Sequence, residues 1–368
     1  MGARAMIDGR TIEYAPTAKP GGSSVDRKGC FVKVLIAGGA GFIGSTVASV
    51  LLDGGHQPVI LDNLVTGRRE FCAGRTFYEG DIADAAVLDR IFDDHPDIAA
   101  VVHCAALIVV PESVARPIVY YRENVTKTLE FVDHLIGKGV SRFLFSSSAA
   151  IYEPGADFSV DENSALNAMS PYARTKMVVE QMLTDISAST PLRVLSLRYF
   201  NPIGADPKMR TGLQVAAPTH ALGKLVEAYR AGRPFTVTGL DYPTRDGSGI
   251  RDYVHVCDLA AAHLRALEIF DALFEGGQSR SMVINLGTGR GTTVLEFVDA
   301  FNKVVDTPVA VAPAPRRPGD SAGAYTRSTR AADLLGWRAE HTIEEGIKDS
   351  LAWFDQRSQV LPDLAGQG

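Results

Sequence analysis

The chain is short of several things, and each shortage narrows what it can be. Only four cysteines occur in 368 residues, at Cys30, Cys72, Cys104 and Cys257, and none belongs to a C-x-x-C pair. Such spacing argues against a disulfide framework and against a zinc site, and makes a reducing cytoplasm the expected compartment. No apolar run approaches the roughly 20 residues that cross a bilayer, so no membrane partner is expected. Basic residues are not in excess: 37 Lys and Arg stand against 43 Asp and Glu, a net charge of −6. A protein that grips nucleic acid by its phosphates carries a basic face, and the composition gives no sign of one. No H-x-x-x-H pair or carboxylate cluster points to a metal, and His103 and His255 read as core or supporting residues. The first 29 residues have no apolar stretch of the secretory kind.

What is present describes a large soluble protein, with 46% hydrophobic and 22% charged residues. A chain of this length forms one large domain or two joined ones and needs no covalent staples to fold. Residues 1–29 read as a flexible extension, with Pro20–Ser24 as linker and Ile12–Tyr14 as its one stretch able to dock. Beyond it, short β-branched runs at 31–37, 58–61, 100–104, 142–146 and 192–198 alternate with helical patterns at 42–52, 85–94, 124–138 and 171–186. Strands alternating with helices predict an α/β fold, a doubly wound parallel sheet of the Rossmann type. The pattern changes after Asn201, with a clear helix near 222–230, a strand at 282–286 and a final amphipathic helix at 343–354. This reading divides the chain into a dinucleotide-binding domain over 30–201 and a smaller mixed lobe over 202–356. Part of 253–286 returns to the sheet, and 357–368 forms a tail.

Gly38-Gly39-Ala40-Gly41-Phe42-Ile43-Gly44 follows the first strand and opens the first helix. Glycines at Gly38, Gly41 and Gly44 permit a sharp turn and close approach of backbone N–H groups to a pyrophosphate, and the helix N-terminus adds positive partial charge. Asp62 ends the second strand about 20 residues later, where a carboxylate accepts from a ribose diol and repels a 2′-phosphate, favouring NAD over NADP. Ser170-Pro171-Tyr172-Ala173-Arg174-Thr175-Lys176 is the second motif. Ser170 and Pro171 suit the start of a helix, so Tyr172 and Lys176 share one face. A nearby ammonium lowers the tyrosine pKa and makes it a usable base. Ser146-Ser147-Ser148 at a strand end offers a hydroxyl to the same substrate oxygen. Gly287-x-Gly289-x-Gly291 lacks an acid partner and reads as a turn.

The glycine motif, the strand-end serine and Y-x-x-x-K together resemble the extended short-chain dehydrogenase/reductase superfamily. Longer stretches resemble its UDP-glucose 4-epimerase family: Leu61–Leu64, Glu79–Ile82, Arg198–Pro202, Asp241–Thr244, Gly249–Val256, Asn285–Gly289 and Arg316–Asp320. The likeness covers about residues 31–356. It implies that Phe42, Ile43, Asn63, Ala105, Asn124 and Tyr199 join the glycines and Asp62 around NAD, with Asp81 and Ile82 flanking the adenine. Lys176 would also bond the nicotinamide ribose. Asn201, His220, Arg251, Arg317 and Asp320 match positions that hold the UDP-sugar substrate, and relatives commonly form homodimers through the helices near 124–138 and 171–186.

The implied activity is that of an isomerase that inverts C4 through a 4-keto sugar, with Ser148, Tyr172 and Lys176 as catalytic residues. Ala149 and Ala150 stand where related dehydratases and decarboxylases carry acids, which argues against those reactions. A carbonyl reductase, or an NAD-sensing protein without turnover, remains an alternative. For the sugar, the basic loop Lys208-Met209-Arg210 favours UDP-glucuronate/UDP-galacturonate, with Arg210 on the carboxylate. The alternatives are UDP-glucose/UDP-galactose or a UDP-N-acetylhexosamine, the latter because Ala324 replaces a bulky aromatic residue.

Overall fold

The computed structural model describes residues 4–7, 10–13, 32–277, 279–316 and 321–364. The chain divides into a short N-terminal unit, 1–31, and a large unit, 32–368. In the first, Arg4–Ile7 pairs antiparallel with Arg10–Glu13, a pairing the sequence reading did not foresee. The proposed linker at 20–24 lies outside the described residues.

In the large unit, seven strands form one sheet: β1 (Lys33–Ala37), β2 (Gln57–Asp62), β3 (Thr76–Glu79), β4 (Ile98–His103), β5 (Arg142–Ser148), β6 (Arg193–Tyr199) and β7 (Ser281–Leu286). Their order across the sheet is β7-β6-β5-β4-β1-β2-β3, and every neighbouring pair is parallel. Successive side chains along a strand point to opposite faces, and both faces here are apolar. Val34 and Ile36 enter one core with Leu195, Leu197 and Leu259, whereas Leu35 and Ala37 enter the other with Phe131, Phe143, Val179 and Leu183. The helices α1 (Phe42–Asp53), α2 (Ala85–Asp94), α3 (Lys127–Gly137) and α4 (Pro171–Ser189) connect the strands. Strand β3 was missed: Thr-Phe-Tyr-Glu at the sheet edge is at most half-buried and has no apolar run to betray it.

Four longer helices follow, α5 (Ala221–Arg230), α6 (Val256–Glu268), α7 (Val294–Asn302) and α8 (Ile343–Val360), besides the short ones Val110–Ala115, Pro117–Tyr121 and Phe270–Leu273. Neither α6 nor α7 was legible. The sequence of α6 is alanine-rich and starts on an unusual cap, the His255 ring accepting from the Cys257 N–H. A third core gathers Ile203, Leu225, Val237, Tyr253, Phe297, Phe301, Ile347 and Trp353, with Phe71 from the segment after β2. Trp353 is fully buried, its indole N–H donates to the Leu213 carbonyl at 2.9 Å, and a Cβ on Gly212 would strike its ring at 2.5 Å.

That packing yields a stability prediction. Trp353→Ala removes a large buried ring and strands a carbonyl, so it should cost about 3–5 kcal/mol of unfolding free energy in a denaturant titration. A loss below about 1 kcal/mol would show that the third core closes without it.

Candidate active site

All seven strands end at one edge of the sheet, and Gly38, Asp62, Asp81, Ser148 and Tyr199, singled out from the sequence, lie at those strand ends or in the turns that follow them. The turn after β1 is held by the Gly38 N–H donating to the Leu61 carbonyl at 2.8 Å. Gly38 has φ +78°, and a Cβ on it would lie 2.5 Å from the Ala105 nitrogen. Gly44 is packed as tightly, since its Cβ would meet the Gly38 carbonyl oxygen at 2.2 Å. Gly41 differs. A Cβ there would have only that same oxygen near it, at 3.5 Å, so nothing in the protein itself demands glycine. Gly41 caps α1 without a side chain, and the first turn carries no acid. An uncapped helix N-terminus behind open space is a cradle for a phosphate.

Asp62 closes the other side of this cradle. It is 7% exposed, and its carboxylate accepts from the Ala40 N–H at 2.9 Å and the Leu64 N–H at 2.8 Å. Burial raises its pKa against the pull of those two bonds. The carboxylate thus shapes the loop as well as facing it. Farther along, Asn63 donates to Asp81 at 3.2 Å, and Lys127 Nζ donates to Asp81 at 2.7 Å and to Glu123 at 2.7 Å. Burial would raise the Asp81 pKa, but Lys127 and the Ala83 N–H outweigh it and hold the carboxyl low. Lys127 was not foreseen; its one signal is the spacing of four from Glu123. Ile82 is buried beside this cluster's backbone.

Ser148, Tyr172 and Lys176 come together between β5 and α4. Ser170 caps α4 through the Ala173 N–H at 3.2 Å, which sets the helix so that Tyr172 and Lys176 share a face. The Ser148 hydroxyl lies near enough to the Tyr172 phenol to act on its titration. It also accepts from the Ala150 N–H at 3.2 Å. Lys176 Nζ donates to the Ser146 carbonyl at 2.7 Å and lies 4.8 Å from the centre of the Phe145 ring. Burial pulls the Lys176 pKa down to about 8. The expectation that Lys176 depresses Tyr172 is corrected here: burial raises the phenol, and the Ser148 hydroxyl is what works against it. The ammonium instead spends a proton on a backbone oxygen.

Other expectations meet a different geometry. Asn124 is buried in a π-turn over Arg122–Thr126, and both its amide hydrogens are taken, by the Leu107 carbonyl at 2.9 Å and Thr175 Oγ1 at 3.1 Å. It fastens the loop after β4 to α4, so contact with a cofactor through this side chain gives way to a supporting role. The Tyr199 hydroxyl is spent on His263 of α6. The Arg251 guanidinium donates to the Ile250 and Ala322 carbonyls at 2.7 and 2.6 Å. His220 caps α5, accepting from the Gly223 N–H at 3.1 Å. The Asn201 N–H donates to the Asp252 carbonyl at 2.9 Å. Arg317 and Asp320 lie outside the described residues. Asp252, which the sequence reading passed over, is fully buried and its carboxylate accepts from Thr288 (N–H and hydroxyl), the Gly289 N–H and the Thr326 N–H. It organises the turn after β7 that the glycines announced.

Arg210 is the clearest correction. Its guanidinium bridges Asp53, at 2.9 and 3.0 Å, and Asp206. Lys208 joins the same Asp53 at 2.9 Å. The Arg210 bond holds Asp53 down at about 2. Asp53 ends the 12-residue helix α1, about 18 Å from the glycine turn that starts it. All three guanidinium nitrogens already face carboxylates, so no arm is left for a uronate.

Among the described residues no group of three His, Cys, Asp or Glu is placed to hold a metal ion, and no helix is long and apolar enough to cross a membrane. Residues 34–287 match the family model described as the NAD dependent epimerase/dehydratase family. A UDP-glucose 4-epimerase of Rhizobium leguminosarum bv. trifolii is 41% identical over 327 residues, 89% of this chain and 98% of that one. Among solved structures, a UDP-glucose-4-epimerase from Stenotrophomonas maltophila with bound NAD and formylated UDP-arabinopyranose superposes with a TM-score of 0.82 at 35% identity, covering 89% of this chain and 99% of that one. A UDP-glucose 4-epimerase from Bifidobacterium longum in complex with NAD+ and UDP does so with a TM-score of 0.82 at 33% identity, covering 89% and 100%. The chain belongs to the NAD dependent epimerase/dehydratase family.

The two kinds of glycine give a direct test of the cradle. Gly41→Ala should leave the melting temperature close to wild type yet weaken NAD binding about 10-fold or more in calorimetric titration. Gly44→Ala should lower the melting temperature itself. Unchanged NAD affinity in Gly41→Ala would place the dinucleotide elsewhere.

Proposed function

We propose that this family member is an NAD-dependent UDP-sugar 4-epimerase, an isomerase, whose substrates are UDP-glucose and UDP-galactose. The observation that carries the reading is the meeting of Ser148, Tyr172 and Lys176 at the same sheet edge as the open glycine cradle. The cradle residues fit a dinucleotide: the α1 N-terminus and Gly41 take the pyrophosphate, Asp62 the adenosine ribose, and Asp81 with Ile82 the adenine. NAD bound there supplies a reversible two-electron oxidation of the sugar at C4. Tyr172 takes the 4-hydroxyl proton as that carbon is oxidised and returns it when the carbon is reduced on its other face. Ser148 donates to the same oxygen and fixes its distance from the phenol. Lys176, released from Ser146, bonds the ribose beside the nicotinamide and offsets phenolate charge. A buried phenol with a raised pKa is a poor base, so the site relies on the charges brought by its ligands to bring Tyr172 into range. Asn201, His220, Arg251, Arg317 and Asp320 are assigned to the UDP moiety, which stays held while the keto sugar turns.

With Arg210 committed to Asp53 and Asp206, the basis for a uronate is gone, and the relatives support the neutral hexose. A second reading, a UDP-N-acetylhexosamine, has one observation behind it: Ala324 packs against the cluster of Tyr152, Val160 and Phe200, four residues from Ser148 at its nearest member Tyr152, and an alanine there adds little bulk. Wild type assayed on all three substrate types should turn over UDP-glucose, with UDP-glucuronate at least about 10-fold slower in kcat/KM. Tyr172→Phe should lower kcat about 10²–10⁴-fold and still bind NAD. Residual activity within a factor of about five would remove Tyr172 from the chemistry.

Self-association belongs to the same proposal. Leu129 on α3, Val178 on α4, and Val114 and Ile118 on the helical turns before α3 are exposed to between 38% and 72%. An exposed apolar residue on each of two neighbouring helices, with Val114 and Ile118 beside them, suits an isologous contact with a second copy of this chain. Leu129→Asp with Val178→Asp should yield a folded monomer by light scattering; a wild type already monomeric at micromolar concentration would end this reading.

A further inference from the structure

Beneath the reacting groups runs a chain of buried polar contacts that the proposed reaction does not use. Glu180 on α4 and Arg198 on β6 are 8% and 4% exposed. Arg198 Nε donates to Glu180 Oε1 at 2.9 Å and Nη2 donates to Oε2 at 2.5 Å, a two-pronged ion pair between helix and sheet. Hydroxyls extend it on both sides. Ser147 donates to the Glu180 carboxylate. Arg198 Nη1 donates to the Tyr152 hydroxyl at 2.7 Å, and that hydroxyl donates to Asn285 Oδ1 on β7 at 2.7 Å. The guanidinium also lies 4.8 Å from the centre of the Tyr152 ring.

The sequence positions give this chain its meaning. Ser147 immediately precedes Ser148, and Tyr152 follows it after the single turn Ala149–Ile151. Ser148 therefore sits on a short stretch fastened at both ends to one ion pair. Glu180 lies one helical turn beyond Lys176, which lies one turn beyond Tyr172, so all three face the sheet from α4. Apolar side chains of equal volume would fill such a space at less cost, because desolvating two charges consumes most of what their attraction returns. What an apolar pair lacks is the fixed distance and angle of a bidentate fork.

We propose that the Glu180–Arg198 pair is the positioning element of the reaction centre, holding Ser148 against Tyr172 through Ser147 and Tyr152 and setting a carboxylate behind the Lys176 ammonium. The proposal rests on the roles assigned above to Ser148, Tyr172 and Lys176. The titratable groups around Lys176 are Tyr172 and Glu180 on its own helix, His103 and Cys104 at the end of β4, and Tyr199 on β6, whose phenol burial raises and keeps neutral. Burial raises Cys104 to about 12 and lowers His103 to about 3, so both are neutral near pH 7. Glu180 is then the one anion in that set, and its charge opposes the burial that drives Lys176 down.

The test uses the purified full chain loaded with NAD, assayed on UDP-glucose. Ser147→Ala and Tyr152→Phe each delete one hydroxyl and leave the ion pair in place. Each should lower kcat about 10-fold with KM changed less than about threefold, the pattern of a misplaced reacting group rather than a lost binding contact. Glu180→Gln should lower kcat about 100-fold and move the alkaline limb of the kcat–pH profile to lower pH, because Lys176 loses its counter-charge beside an unbalanced Arg198. Glu180→Asp should restore the limb. A role in folding alone would scale the whole profile without moving that limb. Near wild-type kcat in both hydroxyl variants, or an unmoved limb in Glu180→Gln, overturns the proposal; if Glu180→Gln does not fold, the hydroxyl variants decide. Activity retained by Tyr172→Phe would instead overturn the reading of the site on which this one rests.

Discussion

Everything chemical in this molecule depends on how one helix is seated on one sheet. Helix α4 returns the same face to β5 and β6 every turn, with Tyr172, Lys176 and Glu180 in succession. Apolar packing alone, by Val179 and Leu183 against Phe143 and Val194, would fix the distance between the layers and leave the helix some freedom to slide or rotate. Polar contacts remove that freedom: Lys176 to the Ser146 carbonyl, Glu180 to Ser147 and Arg198, and Thr175 to Asn124. Three successive serines on β5 divide the work. The first offers its backbone oxygen to Lys176, the second its hydroxyl to Glu180, and the third faces the phenol.

The same economy shapes the nucleotide side. Gly38 and Gly44 are glycines because the backbone of the turn and of the loop after β4 leaves no room for a Cβ, whereas Gly41 faces open space. Packing within the protein explains the first two. For the third, the proposed dinucleotide supplies the reason, since an uncapped helix start with a free approach suits a phosphate. Asp62 serves both demands, because its two backbone bonds hold the turn that its carboxylate also borders.

Much of this was legible before any coordinates. Short apolar runs flanked by glycine gave most of the parallel strands; spacing pointed to Asp62, Tyr172 and Lys176, and the family resemblance singled out Ser148 from its three-serine run. What escaped had no local signature. Strand β3 is half-exposed, so it has no need of an apolar run. In helix α6 four alanines blur the apolar stripe, and only Ala261, Arg265 and Glu268 are exposed, so the period is weak in the sequence. Asp252, Glu180 and Arg198 are charges in the interior, and nothing in sequence separates a buried charge from a solvated one, because the difference lies in partners contributed by distant strands.

Arg210 shows the converse error. A basic loop following the β6 strand end invited a carboxylate partner, and the charge does have one, but the partner is Asp53 at the far end of α1, joined by Asp206 four residues before it. The local pattern Asp206-Pro207-Lys208-Met209-Arg210 held half the answer, since an acid and an arginine four apart can satisfy each other. Met209 takes φ +53°, a left-handed bend within the segment that joins Asp206 to Arg210. A charge near an active site in sequence is thus weak evidence for substrate recognition until its partners are counted. By contrast the shared face of Tyr172 and Lys176 was safe to read, because a helix fixes both the direction and the spacing of its side chains, whereas the effect of Lys176 on the phenol was not. The sequence features that survived are those whose geometry is set within one element, and those that failed depended on which remote surface the loop would meet.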